Sequence, residues 1–185
     1  MKTPVMKSRL ITSLFLFFMV LLAACNTSAQ KKTKAPEVDL HTAVITGNVD
    51  AVKQHIAAGS NLNEKDPFGG SSPLISSALF DQKEIATLLL DAGADINFQN
   101  NDGSTALITA AFFGRPEVVQ LLLDRKADKT IKNKYGTTAY ENVAAPFDQV
   151  KEVYDMMGGM LAPMGLKLDY AYLEKVRPQI AEMLK

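Results

Sequence analysis

The sequence predicts an all-α solenoid of about four helix-turn-helix units, closed by a helical carboxy-terminal cap. Three observations carry this. Residues recur with a step of 33, each step holds a turn followed by two short apolar stretches, and the last residues form one amphipathic stripe. Gly70, Gly103 and Gly136 lie one step apart, as do Leu74 and Leu107, Ala78 and Ala111, Leu90 and Leu123, and Asp95 and Asp128. A further copy stands upstream after a one-residue slip, where Leu40, Gly47, Ile56, Gly59 and Asn63 match Leu74, Asp81, Leu90, Gly93 and Asn97. A unit this short buries its apolar face only against its neighbours, so the copies must stack.

The clearest copy shows how one unit is built. Asp102-Gly103 supplies a turn, and Thr105 is placed to cap a helix starting near Ala106. Ala110 and Ala111 are small enough for close helix approach, Gly114 breaks the helix, and Pro116 suits the first turn of the next. Val118, Val119, Leu121, Leu122 and Leu123 make that second helix apolar over a wide arc, as burial between neighbours requires.

These units resemble ankyrin repeats, whose signature runs Asp-x-x-Gly-x-Thr-Pro-Leu-His, Ala-Ala, Gly, then Leu-Leu and Gly-Ala-Asp. The first motif reads Ser72-Pro73-Leu74-Ile75, Thr105-Ala106-Leu107-Ile108 and Thr138-Ala139-Tyr140-Glu141 in successive copies. The second reads Leu89-Leu90-Asp91-Ala92-Gly93-Ala94-Asp95 and Leu122-Leu123-Asp124-Arg125-Lys126-Ala127-Asp128. Ile75 and Ile108 replace the customary histidine with an apolar filler. Lys126 stands at a family glycine, so a less clean helix end is expected there. The resemblance covers residues 38–157. It places His41 at the family's structural histidine, bracing the turn, and His55 on a second helix, partly exposed.

Beyond Met157 the repeat is lost. Gly158-Gly159 is expected to break the helix, and residues 158–185 to form the cap. Asp169 is placed to cap a last helix from about Tyr170 to Met183, with Leu173, Val176, Ile180 and Leu184 as its stripe and Pro178 as a kink or interruption. Met156, Met157, Met160 and Met164 read as adaptable packing in that cap.

Residues 1–24 pose a separate problem. Lys2, Lys7 and Arg9 precede an apolar run from Leu10 to Leu22, the charge order of an export signal. The run ends in Leu22-Ala23-Ala24-Cys25, and Cys25 is the only cysteine, so no internal disulfide is available. This stretch resembles the lipobox of bacterial lipoproteins. The resemblance implies cleavage before Cys25, a diacylglycerol on its sulfur and an acyl (palmitate-type) chain on its new amine. Asn26, where a retention signal usually shows Asp, favours the outer membrane facing the periplasm over the inner membrane. A cleaved signal with a chance cysteine, or an uncleaved anchor, are the alternatives. Residues 25–37 then form the lipidated cysteine and a polar tether containing Lys31, Lys32 and Lys34.

The full chain balances 20 basic and 20 acidic groups. Loss of residues 1–24 removes Lys2, Lys7 and Arg9 and no acid, leaving 17 basic groups against 20 acidic ones. That slight acidity gives no reason to expect a nucleic-acid partner, whose binding leans on phosphate neutralisation. Two histidines, no phosphate loop and turn-bound aspartates give no basis for catalysis, a metal site or a cofactor.

In ankyrin-like stacks partners meet the turn tips and the exposed side of the first helices. Carried onto this chain, the resemblance marks Phe68, Gly69, Ser71, Leu79 and Phe80, then Asn101, Asp102, Ser104, Phe112 and Phe113, then Lys134, Tyr135 and Thr137, with Ile45 and Thr46 upstream. Phe68, Leu79, Phe80, Phe112, Phe113 and Tyr135 would form an aromatic strip that binds a protein or peptide. The alternative is that several of these rings fill gaps or lie under the carboxy-terminal segment. A basic edge (Arg125, Lys126, Lys129, Lys132, Lys134) reads mainly as a solvated surface. The expected protein is a monomeric, non-enzymatic, lipid-anchored periplasmic adaptor. An immunity or inhibitor protein against a toxin or envelope enzyme, or a structural envelope protein, are the alternatives.

Overall fold

Helix caps recur with the period. A computed structural model describes residues 34–185, all within one unit, Thr33–Lys185. The signal, Cys25 and most of the tether lie outside the described residues. Among the described residues there are nine α-helices and no strand.

The first unit pairs α1 (Leu40–Ile45) with α2 (Val49–Ala58), the second α3 (Pro73–Leu79) with α4 (Lys83–Asp91), and the third α5 (Ala106–Phe112) with α6 (Pro116–Asp124). Then come α7 (Ala139–Ala144), α8 (Phe147–Leu161), a 3₁₀ turn (Ala162–Met164) and α9 (Tyr170–Leu184).

Each first helix begins on a side-chain oxygen that takes up an otherwise orphaned amide. Asp39 accepts from Thr42 N at 2.9 Å, Ser72 from Ile75 N at 3.3 Å, and Thr105 from Ile108 N at 3.3 Å. Thr138 and Glu141 close a reciprocal capping box on α7. The second helices end on left-handed residues, Gly59 (φ 72°), Gly93 (φ 88°) and Lys126 (φ 66°). Lys126 does not spoil its helix end. Ala127 N donates to Leu122 O at 2.9 Å, just as Ala94 N donates to Leu89 O at 2.9 Å. Lys126 adopts the glycine's conformation instead, at the cost of strain.

First helices pack side by side in one layer and second helices in another. Between the layers lies one continuous core, from Leu40, Val44 and Val52 through Leu74, Ile85 and Leu89 to Leu107, Val118 and Leu122. Ala43, Ala78, Ala110 and Ala111 are fully buried, and their small side chains set the close helix spacing.

The last unit departs from expectation. α9 packs against α7 and α6 as each earlier second helix packs against its own first helix and the preceding second helix. It therefore fills the second-helix place of the fourth unit, and α8 with its 3₁₀ turn is an insertion ahead of it. The stripe of Leu173, Val176, Ile180 and Leu184, all buried, explains the choice, because α8 buries only Tyr154.

The helix does not break after Met157 as expected, since α8 runs through Gly158 and Gly159. A Cβ on Gly158 would stand 3.2 Å from Leu168 Cδ1, so this glycine allows close approach rather than a break. The helix stops later, where Pro163 and Gly165 (φ 89°) follow. Pro178 does not interrupt α9 either. It lies on the solvent face with Glu174, whose carbonyl loses its helical partner where water reaches it. Three of the four methionines do not pack the cap, since Met156, Met160 and Met164 are exposed, while Met157 is half-buried.

Candidate interaction surface

Three hairpin tips are built alike, each around one side-chain acceptor. Asp66 accepts from the amides of Phe68 (2.7 Å), Gly69 (2.8 Å) and Ser71 (2.6 Å). Asn100 accepts from Asp102 N (3.0 Å) and Ser104 N (2.8 Å), and Asn133 from Tyr135 N (3.0 Å) and Thr137 N (3.1 Å). The residue two past each acceptor is thereby thrust outward. These residues are Phe68, Asp102 and Tyr135, with Phe68 87% and Tyr135 77% exposed.

Neighbouring tips are stitched together through the backbone. Asn101 N donates to Gly69 O at 3.0 Å, and Lys134 N donates to Asp102 O at 2.8 Å. Below them Asn63 accepts from Asp95 N and Asn97 from Asp128 N. Two large rings are thus held out into water on loops whose backbone is already fixed, so ordering them on contact costs little further entropy.

Burial pushes the Asp66 carboxyl up, but the donations from Gly69, Phe68 and Ser71 outweigh it and hold the group below the usual carboxylate range. His41 makes none of these bonds. Both of its ring nitrogens are buried without a hydrogen-bond partner, so it does not brace the turn through a hydrogen bond. His55 also differs from expectation, being buried rather than partly exposed. Its Nε2 lies 2.8 Å from the Val38 carbonyl and must carry the proton, while the Ser60 hydroxyl lies 2.9 Å from Nδ1. It ties the chain entering the first unit to the end of α2. Ile75 and Ile108 are buried fillers.

The expected aromatic strip is divided. Phe68, Asn101, Asp102 and Tyr135 are exposed, and Leu79 and Phe80 are half-buried on α3. Phe113 is 5% exposed and is withdrawn from any free surface. Phe112 is half-buried, with its ring stacked 4.4 Å from Tyr154 and edge-on to Phe113 at 5.0 Å. For Phe112 the physical reason is α8, whose inner side also stacks Phe147 on Tyr154 at 5.6 Å. The Tyr154 hydroxyl donates to the Phe112 carbonyl at 2.5 Å and receives Arg177 Nη1 at 2.6 Å. Burial pushes the Tyr154 phenol up, against the pull of the Arg177 cation.

Sequence reasoning passed over Tyr154 and Arg177. A signal for Arg177 was present: it lies four after Leu173 and three before Ile180, on the apolar arc. Tyr154 carried none, because nothing local shows that α8 reaches back to α5.

The basic edge is partly neutralised. Arg125 pairs with Asp91 at 2.7 Å, Lys132 with Glu141 at 3.6 Å, and Lys129 reaches the Lys185 oxygen at 3.2 Å. Among the described residues no group of three metal-binding side chains converges, and no helix is long and apolar enough to cross a membrane.

No curated protein matches the sequence. The family model described as "Ankyrin repeats (3 copies)" matches residues 40–133, just over half of the chain. That span holds the three regular units and ends at the tip asparagine, Asn133, before the unit that α8 interrupts. The chain belongs to the ankyrin-repeat family.

Proposed function

We propose that this protein is a non-enzymatic binding module whose row of hairpin tips grips a protein or peptide. Ankyrin repeats are generally protein-interaction modules. The observation that carries the reading here is the pair of exposed rings, Phe68 and Tyr135, on loops pinned by Asp66 and Asn133. Rigid aromatic side chains of this kind supply much of the energy of protein contacts.

In the same proposal the module is a lipid-anchored adaptor facing the periplasm, held at the outer membrane through acylated Cys25. The lipobox-like sequence ending in Cys25 supports this, because acyl chains give each buried methylene about 0.8 kcal/mol of membrane affinity. The polar residues 26–37 would leave the repeats free to meet a partner.

A photo-crosslinking residue placed at position 68 or 135 in intact cells tests the surface. The expected result is one defined protein adduct, absent when the crosslinker replaces exposed Glu84 on α4; the adduct from position 135 is lost with Phe68→Ser, and that from position 68 with Tyr135→Ser. Identical adducts from all three positions would sink the assignment. Cys25→Ser should move the chain from the membrane fraction to the soluble one.

A further inference from the structure

Among the described residues α8 is attached unlike the other long helix, α9. Of its fifteen residues only Tyr154 is buried, whereas α9, equally long, buries six. Its outer side shows Val153, Met156 and Met160, each more than 40% exposed, although an amphipathic helix normally turns such residues inward. α9 is fixed in the repeat core. α8 leans on the start of α9, with Lys151 over the Tyr170 ring and Gly158 on Leu168, and reaches the repeats themselves through one buried side chain, Tyr154.

That side chain sits in a defined place. The ring of Tyr154 lies on Phe112, and its hydroxyl bridges the Phe112 carbonyl and Arg177. Arg177 is 1% exposed, donates otherwise to Ala145 O at 2.9 Å, and leaves its Nε without a partner. No carboxylate among the described residues pairs with it. A buried cation without a countercharge makes the closed arrangement shallow. Phe112 itself lies on α5, whose N-terminal end adjoins the tip carrying Asp102.

We propose that α8 is an intramolecular strap over a tyrosine-accepting subsite, and that a partner engages this subsite by lifting the strap. The subsite consists of the Phe112 ring and carbonyl with the Arg177 guanidinium. A tyrosine of the partner takes the place of Tyr154, and the contact surface then runs from the tips along α5. The strap itself stands on the geometry alone; its use by a partner rests on the binding function proposed above.

Hydrogen exchange on the full-length chain reads the strap directly. Amides of residues 147–161 exchange at least about tenfold faster than those of residues 170–184, and Tyr154→Ala speeds the first set by about tenfold more while leaving the second unchanged. A labelled peptide of residues 147–161 then binds the Tyr154→Ala chain and not the wild type, whose subsite is filled. Adding Phe112→Ala to that chain, or Tyr154→Ala to the peptide, abolishes binding. Equal exchange of the two helices, or equal peptide binding by the wild-type and Tyr154→Ala chains, would overturn the proposal. Phe68→Ser plus Tyr135→Ser leaves all these readings unchanged, so failure of tip crosslinking and failure of the strap are separate results.

Discussion

Gly114 offers the sharpest test of where α9 lies. It joins α5 to α6 with φ +69°, and a Cβ there would stand 2.8 Å from Leu173 Cδ2 and 2.9 Å from Val176 Cγ1. Gly114→Ala therefore incurs two costs. A left-handed alanine costs about 1–2 kcal/mol, and overpacking a filled site adds about 1–3 kcal/mol. The Leu173 methyl can swing, but Val176 is β-branched, buried and stiff. Gly93→Ala is the control, because φ is +88° there and nothing lies within 4 Å. It carries the backbone cost alone, and the entropy an alanine removes from the unfolded chain is common to both.

Thermal unfolding followed by circular dichroism should show Gly93→Ala lowering Tm by about 3–6 °C and Gly114→Ala by about 10 °C. Val176→Ala in the Gly114→Ala chain should recover part of the loss, with a coupling of at least about 1 kcal/mol. Equal Tm losses for the two glycines, with no coupling to Val176, would refute the placement of α9 over the α5–α6 turn.

Two further outcomes are expected. Lys126→Gly relieves a left-handed lysine and should stabilise the chain by about 0.5–1 kcal/mol, visible as a small rise in Tm; Asp81, at φ 60°, should gain less, because aspartate tolerates that conformation better. The Asp66 carboxyl is held low in the fold, so its stabilising effect is complete above the unfolded pKa of about 3.9 and is lost as pH falls through the lower folded value. Amide shifts of Phe68, Gly69 and Ser71 should move together with a midpoint below that value, and a midpoint at or above it would contradict the three-bond cradle.

The local steps of the fold were legible because their causes are local. Ser72, Thr105 and Thr138 cap first helices where the period put them, and Asp169 caps α9 by accepting from Tyr172 N at 3.0 Å. A cap needs only neighbours within one turn. The tip residues Phe68, Asp102 and Tyr135 were reached through the resemblance to ankyrin stacks, and the structure holds all three exposed.

What the sequence by itself determined is the all-α repeat, its period, its capped first helices and the exposed tips. The tertiary structure alone decided which helix completes the fourth unit. The resemblance ran to Met157 and so placed the stretch that forms α8 in the repeat, but the place goes to α9, whose stripe fits between α6 and α7. The covering of Phe112 was decided at the same level. It depends on Tyr154, 42 residues away from the carbonyl it meets, and a contact over that distance is set by how whole helices pack, which no local pattern records.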